Sequence, residues 1–520
     1  MGGESMKKYI YLIITVLLAV GCEDFLKPKS ENEFVPTTVQ ALDEMLLYET
    51  YANQRSGSIP FFDLLSDDAA VVRFSGTESN LLTQVRLASI KALFTWQPDL
   101  YKTFEEDHLY EDTYDIYSGS YARILGCNAT LDYADRVEGN EADRARVKAE
   151  AHALRAFWYF HVVNSYGQPY NYDKSALGVP LHLVSKVSST TIPRNTVEEV
   201  YNQVVADLLE AERLYASVQE KDRWKANMRV SLPFVQLLLS RVYLYMENWE
   251  QASAYADKVI ANPQFRLLNV SDFPSAGTYM YFHNYTNPEV IWPYGNAAEF
   301  RDFVDPYMID ISKGGKVSFV VADAGLLALF NAPSDIRKTH YLVPDSRSTN
   351  YKAFGKLAVT GSDNSPDVSN RFARSFRLSE AYLNKAEAEA MLFMEGKGGE
   401  HKQEALRLLK ELWSHRLTSP GEAETDQQYY LDERTAATFL QSVRKERRRE
   451  LCFEDHRWFD LRRQGMPKIG HTWMGDKSDA QQVQYTLKKN DPMYTLQIPV
   501  SVMLKNDQLI QNPAGPARVD

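Results

Sequence analysis

Three groups of neighbouring acidic residues are the first places to look for catalysis in this sequence. They are Asp67–Asp68, Glu105–Asp107 and Glu454–Asp455. A glycoside hydrolase needs two carboxyl groups roughly 5–10 Å apart across a cleft. Neighbouring acids on a helix point in different directions and usually face solvent. The spacing therefore predicts no catalytic carboxylate pair.

Residues that bind metals or act as nucleophiles show no recognisable motif either. The ten histidines form no H-E-x-x-H pattern and have no cysteine partners for zinc. The sequence contains no G-x-S-x-G elbow and no phosphate-binding glycine loop. Asp302 and Asp305 could ligate calcium, but no EF-hand spacing supports such a site. The sequence predicts no cofactor and no metal, and indicates a binding protein rather than an enzyme.

The aromatic residues indicate a different chemistry, the capture of sugars. Aromatic residues make up 12% of the chain and include 31 tyrosines. Sugar capture needs exposed rings that stack on pyranose faces, with polar side chains beside them, on loops held by a rigid frame. The stretches Phe94–Tyr101 and Thr278–Phe300 fit this description. Their candidate ligand-binding residues are Trp96, Gln97 and Asp99 in the first stretch and Tyr281, Tyr285, Trp292, Tyr294 and Asn296 in the second, with Arg301 directly after it. Trp292, which follows two aliphatic residues, is the candidate best suited to a core position.

The stretch Ser442–Gln464 predicts a single helix in which charged and apolar side chains share one face. It lacks Gly and Pro and is followed by Gly465, a helix-stop signal. An unpaired buried charge costs several kcal/mol, so a buried face of this kind must hold ion pairs. We therefore predict a structural ion-pair helix. The charged members of its buried face are Glu446, Arg447, Glu450, Glu454 and Arg457.

The first 36 residues predict export and a lipid anchor. Lys7 and Lys8 precede an apolar run that ends at Val20, which is typical of a signal peptide and too short to span a membrane. The residues before Cys22 resemble a bacterial lipobox. We therefore predict a signal peptide over 1–21, lipidation of Cys22, a tether over 22–36 and one domain over 37–520. The predicted location is the outer membrane, at the cell surface.

The rest of the chain predicts a mainly all-α fold with little β structure. Helical patterns occur as pairs near 106–166, 195–261 and 378–464, and two of them have tetratricopeptide-like spacing. Residues 106–137 and 141–166 are expected to form two long antiparallel helices. The segments 56–104 and 269–369 lack helical periodicity and are predicted to be irregular, ligand-binding regions.

Composition excludes one class of partner. The chain has 520 residues, 44% of them hydrophobic, a net charge of -11 and a pI near 5.5. A nucleic-acid surface would need clustered Lys and Arg, so no nucleic-acid binding is expected. Cys127 and Cys452 lie in helical patterns and are expected to be buried thiols, although an exported protein could also join them in a disulfide.

Several stretches together resemble one known family. The run ERRRELCFEDHRWFDLRRQG over 446–465 resembles the C-terminal signature of SusD/RagB-like proteins. Residues 149–170 resemble the helix and Tyr-Gly turn of that family, and residues 495–513 resemble its closing segment, with Met503 or Leu504 where an acid is common. The resemblance covers most of the chain except the long loops, and it marks Trp96 as a position near the ligand.

The resemblance implies a non-catalytic surface lipoprotein on a SusD-like scaffold. Such a protein would capture an oligosaccharide or polysaccharide and deliver it to a SusC-like TonB-dependent outer-membrane transporter. Two alternatives remain open: a tetratricopeptide-type surface adaptor for a protein or peptide, and a surface glycoside hydrolase. The identity of the cargo, and whether it is a glycan, also remains open.

Overall fold

The computed structural model describes most of the chain from residue 36 onward. The described ranges are 36–52, 61–73, 81–107, 116–186, 190–275, 281–296, 317–344, 349–352, 355–357, 372–418, 430–473 and 482–518. Within them the chain is mainly helical with three small sheets, which confirms the predicted fold class. Predictions for Cys22, Arg301, Asp302 and Asp305 lie outside these ranges. The proposed boundaries of the signal peptide and tether stay predictions.

A first helical layer packs the N-terminal helix against a long helix pair. It comprises α1 (Val39–Thr50), α5 (Ile116–Ala134) and α6 (Glu141–Tyr166). Asn140 caps α6 by accepting the N–H of Asp143 at 2.8 Å. A capped start of this kind satisfies helix donors that would otherwise have no partner. The first predicted helix of the pair was too long at its carboxyl end, since α5 ends at Ala134 and a turn follows.

The next helices form antiparallel pairs, as the tetratricopeptide-like spacing predicts. They are α7 (Val197–Ser217), α8 (Leu232–Tyr245), α9 (Trp249–Ile260), α11 (Leu378–Met394), α12 (Gly399–Ser414) and α13 (Ala436–Glu450). α8 packs on α9 and α11 packs on α12, with α9 and α13 also against α11. Thr196 and Glu199 form a capping box at the start of α7.

The prediction that 56–104 is irregular was wrong for much of that segment. It contains α2 (Phe61–Leu65), β1 (Ala69–Arg73), α3 (Leu81–Phe94) and the start of α4 (Leu100–Asp107). α3 carries only a weak apolar periodicity, because its carboxyl end is buried on several sides rather than along one stripe. Pattern reading alone therefore missed it.

Short strands occupy parts of the segment 269–369, which the sequence analysis left irregular, and parts of the chain after it. The strands are β2 (Val290–Asn296), β3 (Val317–Val321), β4 (Val343–Pro344), β5 (Tyr351–Lys352), β6 (Phe372–Arg377), β7 (Ile469–Trp473) and β8 (Val483–Leu487). They form one sheet in the order β1-β3-β5-β4 and two antiparallel ribbons, β2-β6 and β7-β8. Two short helices, α10 (Arg337–His340) and α15 (Val500–Met503), complete the described elements with α14 (Arg457–Arg463).

The predicted single helix over 442–464 is two helices separated by a turn. α13 ends at Glu450, and α14 begins only at Arg457. Phe453 and Asp455 in the turn adopt positive φ angles of 55° and 67°. The last carbonyls of α13 accept hydrogen bonds from side chains instead of from the next helical turn: Lys356 Nζ lies 2.7 Å from the carbonyl oxygen of Glu450. These donors end the helix without Gly or Pro.

Two further sequence expectations concern membranes and thiols. No helix among the described residues is long and apolar enough to cross a bilayer. Cys127 and Cys452 are both buried and free, so the possible disulfide between them does not form.

The tyrosine-rich core lies around α6, whose residues from Ala149 to Tyr166 are almost all buried.

Candidate functional site

The β2-β6 ribbon carries a row of paired side chains that changes from apolar to polar along its length. Trp292 pairs with Phe376, Tyr294 with Arg374, and Asn296 with Phe372. Partners in an antiparallel pair lie on the same face. Trp292 is fully buried, Tyr294 is nearly so, and Asn296 at the end of the ribbon is partly exposed. The face therefore runs from the core out to the surface.

Two more predicted residues meet this outer end of the ribbon. The hydroxyl of Tyr281 donates to the carbonyl oxygen of Phe372 at 2.8 Å. The ring of Tyr285 lies 6.5 Å from the ring of Phe372, and both tyrosines are partly exposed. The structure thus brings together Tyr281, Tyr285, Tyr294 and Asn296, which come from one predicted stretch. With Arg374 they form what we call the ribbon site.

A buried group of three ionisable side chains, the triad Asp63–Arg374–Asp455, holds the ribbon site in place. Arg374 Nη2 donates to Asp63 Oδ2 and its Nε lies 3.0 Å from Asp455 Oδ2. The main-chain N–H of Asp455 also donates to Asp63 Oδ1 at 3.3 Å. Asp63 comes from α2 and Arg374 from β6, so the triad fixes the ribbon to α2. Neither Asp63 nor Arg374 has a sequence signal that would have placed it here.

His161 lies on α6 within electrostatic reach of the same triad. Burial lowers the pKa of His161 to about 4, against a smaller opposing effect of Asp455. Burial raises the pKa of Asp63 to about 8, although Arg374 opposes this. His161 Nε2 and Asp455 Oδ1 are buried and have no hydrogen-bond partner within the part of the chain that the structure describes. Buried polar atoms without a partner are uncommon in proteins and often mark functional positions.

The outer end of the ribbon is also tied to the segment after α1. Asn296 and Phe372 are cross-strand partners there. The carbonyl oxygen of Ala52 accepts the N–H of the neighbouring Gly295 at 2.9 Å.

The structure contradicts the prediction that Trp96 is a sugar-stacking platform. The ring is 1% exposed and stacks on His471 with centroids 4.1 Å apart. Its indole N–H donates to the carbonyl oxygen of Leu65 at 3.0 Å. Trp96 adopts a positive φ of 52°, because the chain turns there after α3. That turn directs the ring inward, so both faces are covered.

The two polar neighbours of Trp96 have different environments. The amide of Gln97 donates to the carbonyl oxygen of Arg518 at 2.8 Å and accepts the N–H of Arg518 at 3.1 Å. Gln97 therefore fixes the C-terminal segment. Asp99 is exposed, and its main-chain carbonyl begins α4 by accepting the N–H of Thr103. Neither residue lies at the ribbon site through any contact in the described ranges.

Trp292 is a core residue, as its aliphatic neighbours indicated. It is fully buried, and its indole N–H donates to the carbonyl oxygen of Met228 at 2.9 Å. Its ring stacks on Tyr294 with centroids 4.8 Å apart. It cannot stack on a ligand, but it fixes the ring of Tyr294.

The charged residues of α13 and the turn after it belong to a buried ion-pair network. Glu450 contacts three guanidinium groups: Arg377 at 2.6 Å, Arg416 at 2.9 Å and Arg337 at 3.0 Å. Glu446 also binds Arg337, at 2.6 Å. All of these groups are completely buried. The sequence pattern identified the carboxylates but gave no sign of their partners, which come from α10, from β6 and from the segment after α12.

The remaining predicted members of this network are paired as well. Glu454 binds Arg377 at 2.8 Å, and Arg447 binds Asp460 at 3.0 Å. Arg457 at the start of α14 is partly exposed and binds Asp67 at 2.7 Å. These contacts are buried or partly buried ion pairs, which gives the network a structural role.

Among the described residues, no group of three or more His, Cys, Asp or Glu side chains is arranged to hold a metal ion. The acidic groups Asp67–Asp68 and Glu454–Asp455 form ion pairs with arginines or with Lys356. The carboxylates of these two groups therefore make structural contacts.

Comparison with known proteins identifies the scaffold. A family model described as "SusD family" matches residues 338–514, and one described as "Starch-binding associating with outer membrane" matches residues 25–244. The chain belongs to the SusD/RagB-like family. The C-terminal match contains α13, α14 and most of the buried network, and the N-terminal match contains α1 to α7.

Individual SusD-like proteins are distant in sequence but similar in fold. The SusD-like protein P25 of Formosa agariphila is 22% identical over 57% of this chain, and the chain spans 53% of the length of that relative. A SusD superfamily protein of Bacteroides thetaiotaomicron is similar in structure, with a TM-score of 0.65, 21% identity, and coverage of 92% and 100% of the two chains. A SusD-like carbohydrate-binding protein of Bacteroides vulgatus has a TM-score of 0.61, 21% identity, and coverage of 91% and 98%. The likeness to these two structures shows the shared fold.

Proposed function

We propose that the protein is a non-catalytic, lipid-anchored surface protein that captures a glycan and delivers it to a SusC-like TonB-dependent transporter. Membership of the SusD/RagB-like family supports a glycan-binding role and an association with the outer membrane. The observation that supports capture by this chain is the ribbon site. It combines partly exposed tyrosine rings with an amide on a ribbon that is fixed to the core.

The chemistry of the ribbon site suits a neutral sugar. Tyr281 and Tyr285 present part of each ring at the surface, and aromatic faces pack against the apolar faces of pyranose rings. Asn296 adds a donor and an acceptor for ring hydroxyls. Trp292 and the Asp63–Arg374–Asp455 triad fix the ribbon, so the side chains need little ordering when a ligand binds.

A binding role also agrees with the contacts that the acidic side chains make. Asp63 and Asp455 share Arg374, and both oxygens of Asp63 accept hydrogen bonds. A general acid must donate a proton to the leaving oxygen and must therefore reach it. Asp63 is 1% exposed, so it is placed to support the site rather than to react.

Affinity electrophoresis of residues 23–520 across a panel of neutral and acidic polysaccharides tests capture. Wild-type protein should be retarded by one class of polymer. Tyr285→Ala should weaken retention about 2- to 13-fold, since one aromatic contact contributes about 0.5–1.5 kcal/mol. Tyr172→Ala is the matched control, because Tyr172 is an exposed tyrosine outside the site. Equal losses in both variants, or a loss in neither, would contradict the assignment of the site.

Two further measurements test the nature of the cargo and the absence of catalysis. Retention of peptides but of no polysaccharide would favour the tetratricopeptide-type adaptor. Release of reducing ends from the retained polymer would favour a hydrolase. Either result would contradict the proposed function while leaving the family assignment unchanged.

Surface anchoring is tested separately in intact cells. Cys22→Ser should prevent lipidation and move the protein from the membrane fraction to the soluble fraction. External protease should remove the wild-type protein from intact cells. Protection of the wild-type protein, with a periplasmic control also protected, would place the domain on the inner side and contradict surface capture.

A further inference from the structure

A cleft of about 510 Å³ opens beside α13 and shares no residue with the ribbon site. Ligand-binding clefts in proteins measure roughly 300–1,000 Å³, so its size suits a small organic molecule. One side follows β3 in the chain, a second precedes α13, and the third is α13 itself. We call it the α13 cleft, and its lining includes Leu329, Asn331, Asp432, Ser442, Lys445 and Arg449.

Hydrogen bonds from α13 hold the other two sides of the α13 cleft in place. Arg449 Nη1 donates to the carbonyl oxygen of Leu329 at 3.2 Å. The main-chain N–H of Asp432 donates to Ser442 Oγ at 2.9 Å. Arg449 and Ser442 are themselves buried, and with Lys445 they are spaced along one face of the helix. The side chains of the cleft therefore need little ordering when a ligand binds.

The α13 cleft lacks an open aromatic face of the kind that a neutral sugar stacks on. Tyr430 is the one aromatic side chain among the described residues that line it. That side chain is 3% exposed, and the guanidinium of Arg449 lies over its ring at 3.6 Å. Recognition in this cleft must therefore depend on hydrogen bonds and charge rather than on ring stacking.

The acidic side chains of the α13 cleft already have cationic partners. Asp432 Oδ2 lies 2.5 Å from Arg434 Nη2, and Glu433 Oε2 lies 2.8 Å from Lys402 Nζ. Lys445 is exposed to the cleft and has no carboxylate partner within the part of the chain that the structure describes. The charge that is left without compensation is therefore positive, which favours an anionic ligand over a cationic one.

Arg449 supplies further donors for such a ligand. A guanidinium carries five N–H groups. Nε and Nη2 of Arg449 each donate to Glu446 Oε2, and Nη1 donates to the carbonyl oxygen of Leu329. The other two N–H groups have no acceptor among the described residues, on a side chain that is 2% exposed. Buried donors without an acceptor are unfavourable, and a ligand carboxylate would satisfy them.

We infer that the α13 cleft binds a polyhydroxylated carboxylate, the chemistry of an acidic sugar such as a uronate. The Lys445 ammonium and the N–H groups of Arg449 bind the carboxylate. The amide of Asn331 and the carboxylate of Glu433 bind the hydroxyl groups. The ribbon site suits a neutral sugar, so this inference adds a second site of different chemistry and goes beyond the proposed function.

Pairs of sugars that differ in one group test the α13 cleft. Galacturonate and glucuronate carry a carboxylate where galactose and glucose carry a hydroxymethyl group. Each sugar is titrated into residues 23–520 at fixed ionic strength, and binding is followed by ligand-observed NMR. At least one uronate should bind 10-fold or more tightly than its neutral counterpart. Binding of neither uronate, or equal affinity within both pairs, would overturn the inference.

Substitutions of single lysines assign the binding to the cleft. Lys445→Met removes the charge and should weaken uronate binding at least 10-fold, whereas Lys445→Arg keeps the charge and should retain most of the affinity. Lys410→Met is the matched control, because Lys410 is an exposed lysine on α12 outside the cleft. Unchanged affinity in Lys445→Met, or an equal loss in Lys410→Met, would contradict the assignment.

Tyr285→Ala separates the α13 cleft from the ribbon site. Uronate binding should be unchanged in this variant, and Lys445→Met should keep its retention by a neutral polysaccharide. Loss of uronate binding in Tyr285→Ala would place the uronate at the ribbon site, which would overturn this inference and leave the proposed function intact.

Competition with an inorganic anion tests whether the whole sugar acid is recognised. Sodium sulfate should displace the uronate only at concentrations at least 10-fold above that of the uronate itself, because it lacks the hydroxyl groups. Displacement by sulfate at equal concentration would show a general anion site and would overturn the assignment to an acidic sugar.

Discussion

Lys356 Nζ lies 2.7 Å from the carbonyl oxygen of Glu450, where it ends α13 from outside the helix. The same ammonium donates to the carbonyl oxygen of Cys452 at 3.0 Å and binds the carboxylate of Glu454. A lysine from a short segment between β5 and β6 thus donates the hydrogen bonds that the N–H groups of a further helical turn would donate. The chain can then turn so that the Glu454 carboxylate meets Arg377.

Removal of this ammonium should destabilise the protein strongly. Lys356→Met leaves buried carbonyls and the Glu454 carboxylate without this donor, and breaking a buried ion pair costs about 3–5 kcal/mol. Chemical denaturation followed by circular dichroism measures the loss. Lys445→Met on α13 is the control, because Lys445 is exposed and should change stability by less than about 0.5 kcal/mol. A loss of similar size in the control would remove any special role from Lys356.

The carboxylate of Glu450 should be equally sensitive. Glu450→Ala removes a carboxylate that balances the buried positive charges of Arg337, Arg377 and Arg416. The free energy of unfolding should therefore fall by about 3–5 kcal/mol. Glu49→Ala, an exposed position on α1, should be nearly neutral. The measurement is again the free energy of unfolding. A stable Glu450→Ala protein that had lost only glycan binding would instead make the network part of the ligand site.

The buried histidines and glutamates should lose their contributions to stability in two stages as the pH falls. Burial lowers the folded-state pKa of His161 and His471 to about 4, so between pH 6.5 and pH 4 the unfolded chain takes up protons at these two positions that the folded protein does not. The contribution of the two histidines therefore falls over that range, while Asp63 acts in the opposite direction, because burial raises its folded-state pKa to about 8. Against the effect of burial, the guanidinium groups of Arg337 and Arg377 help lower the pKa of Glu446 and Glu454 to about 2. Their contribution is present above pH 4.5 and is lost as the pH falls toward 2.

Denaturant titrations at half-unit steps from pH 7.5 to pH 3 measure this dependence. His471→Asn should flatten the slope between pH 6.5 and pH 4, because it removes one of the groups that titrate only when unfolded. An unchanged slope in His471→Asn would contradict the assignment of His471 as a buried neutral histidine.

Trp96 should be a stability residue and not a ligand residue. Trp96→Ala removes a buried ring from between His471 and the α2–β1 region, and truncations of this kind cost about 3–5 kcal/mol. Polysaccharide retention, measured at a temperature where the variant remains folded, should be unchanged. A folded Trp96→Ala variant with at least 10-fold weaker retention would restore the prediction made from the sequence.

The sequence predicted the helices better than it predicted the contacts that individual residues make. α9 and α12 carry strong periodicity and were found, since each buries a stripe that the sequence displays. α3 was missed, because its burial is not confined to one stripe. The single helix expected over 442–464 was wrong for a different reason: Lys356, about a hundred residues away, determines where α13 ends.

The candidate site likewise contains residues that the sequence could identify and residues that it could not. Tyr281, Tyr285 and Asn296 could be nominated from their types and spacing, but only the register of β2 on β6 brings them to one end of a ribbon. Trp96 has the same composition of neighbours as a sugar platform, and a backbone turn with positive φ decides that its ring is buried. Arg374 and Asp63 carry no local signal, because long-range pairing alone defines their role.

The Glu450 carboxylate joins guanidinium groups from three separate parts of the chain: α10, the end of β6 and the segment after α12. No one of these segments can bury its charge before the others arrive, since an isolated buried charge is strongly unfavourable. Partly assembled forms of this half are therefore poorly populated, and it should fold and unfold as one cooperative unit. During synthesis from the amino end the network is therefore completed late, when Glu450, the last of these four partners in the sequence, emerges.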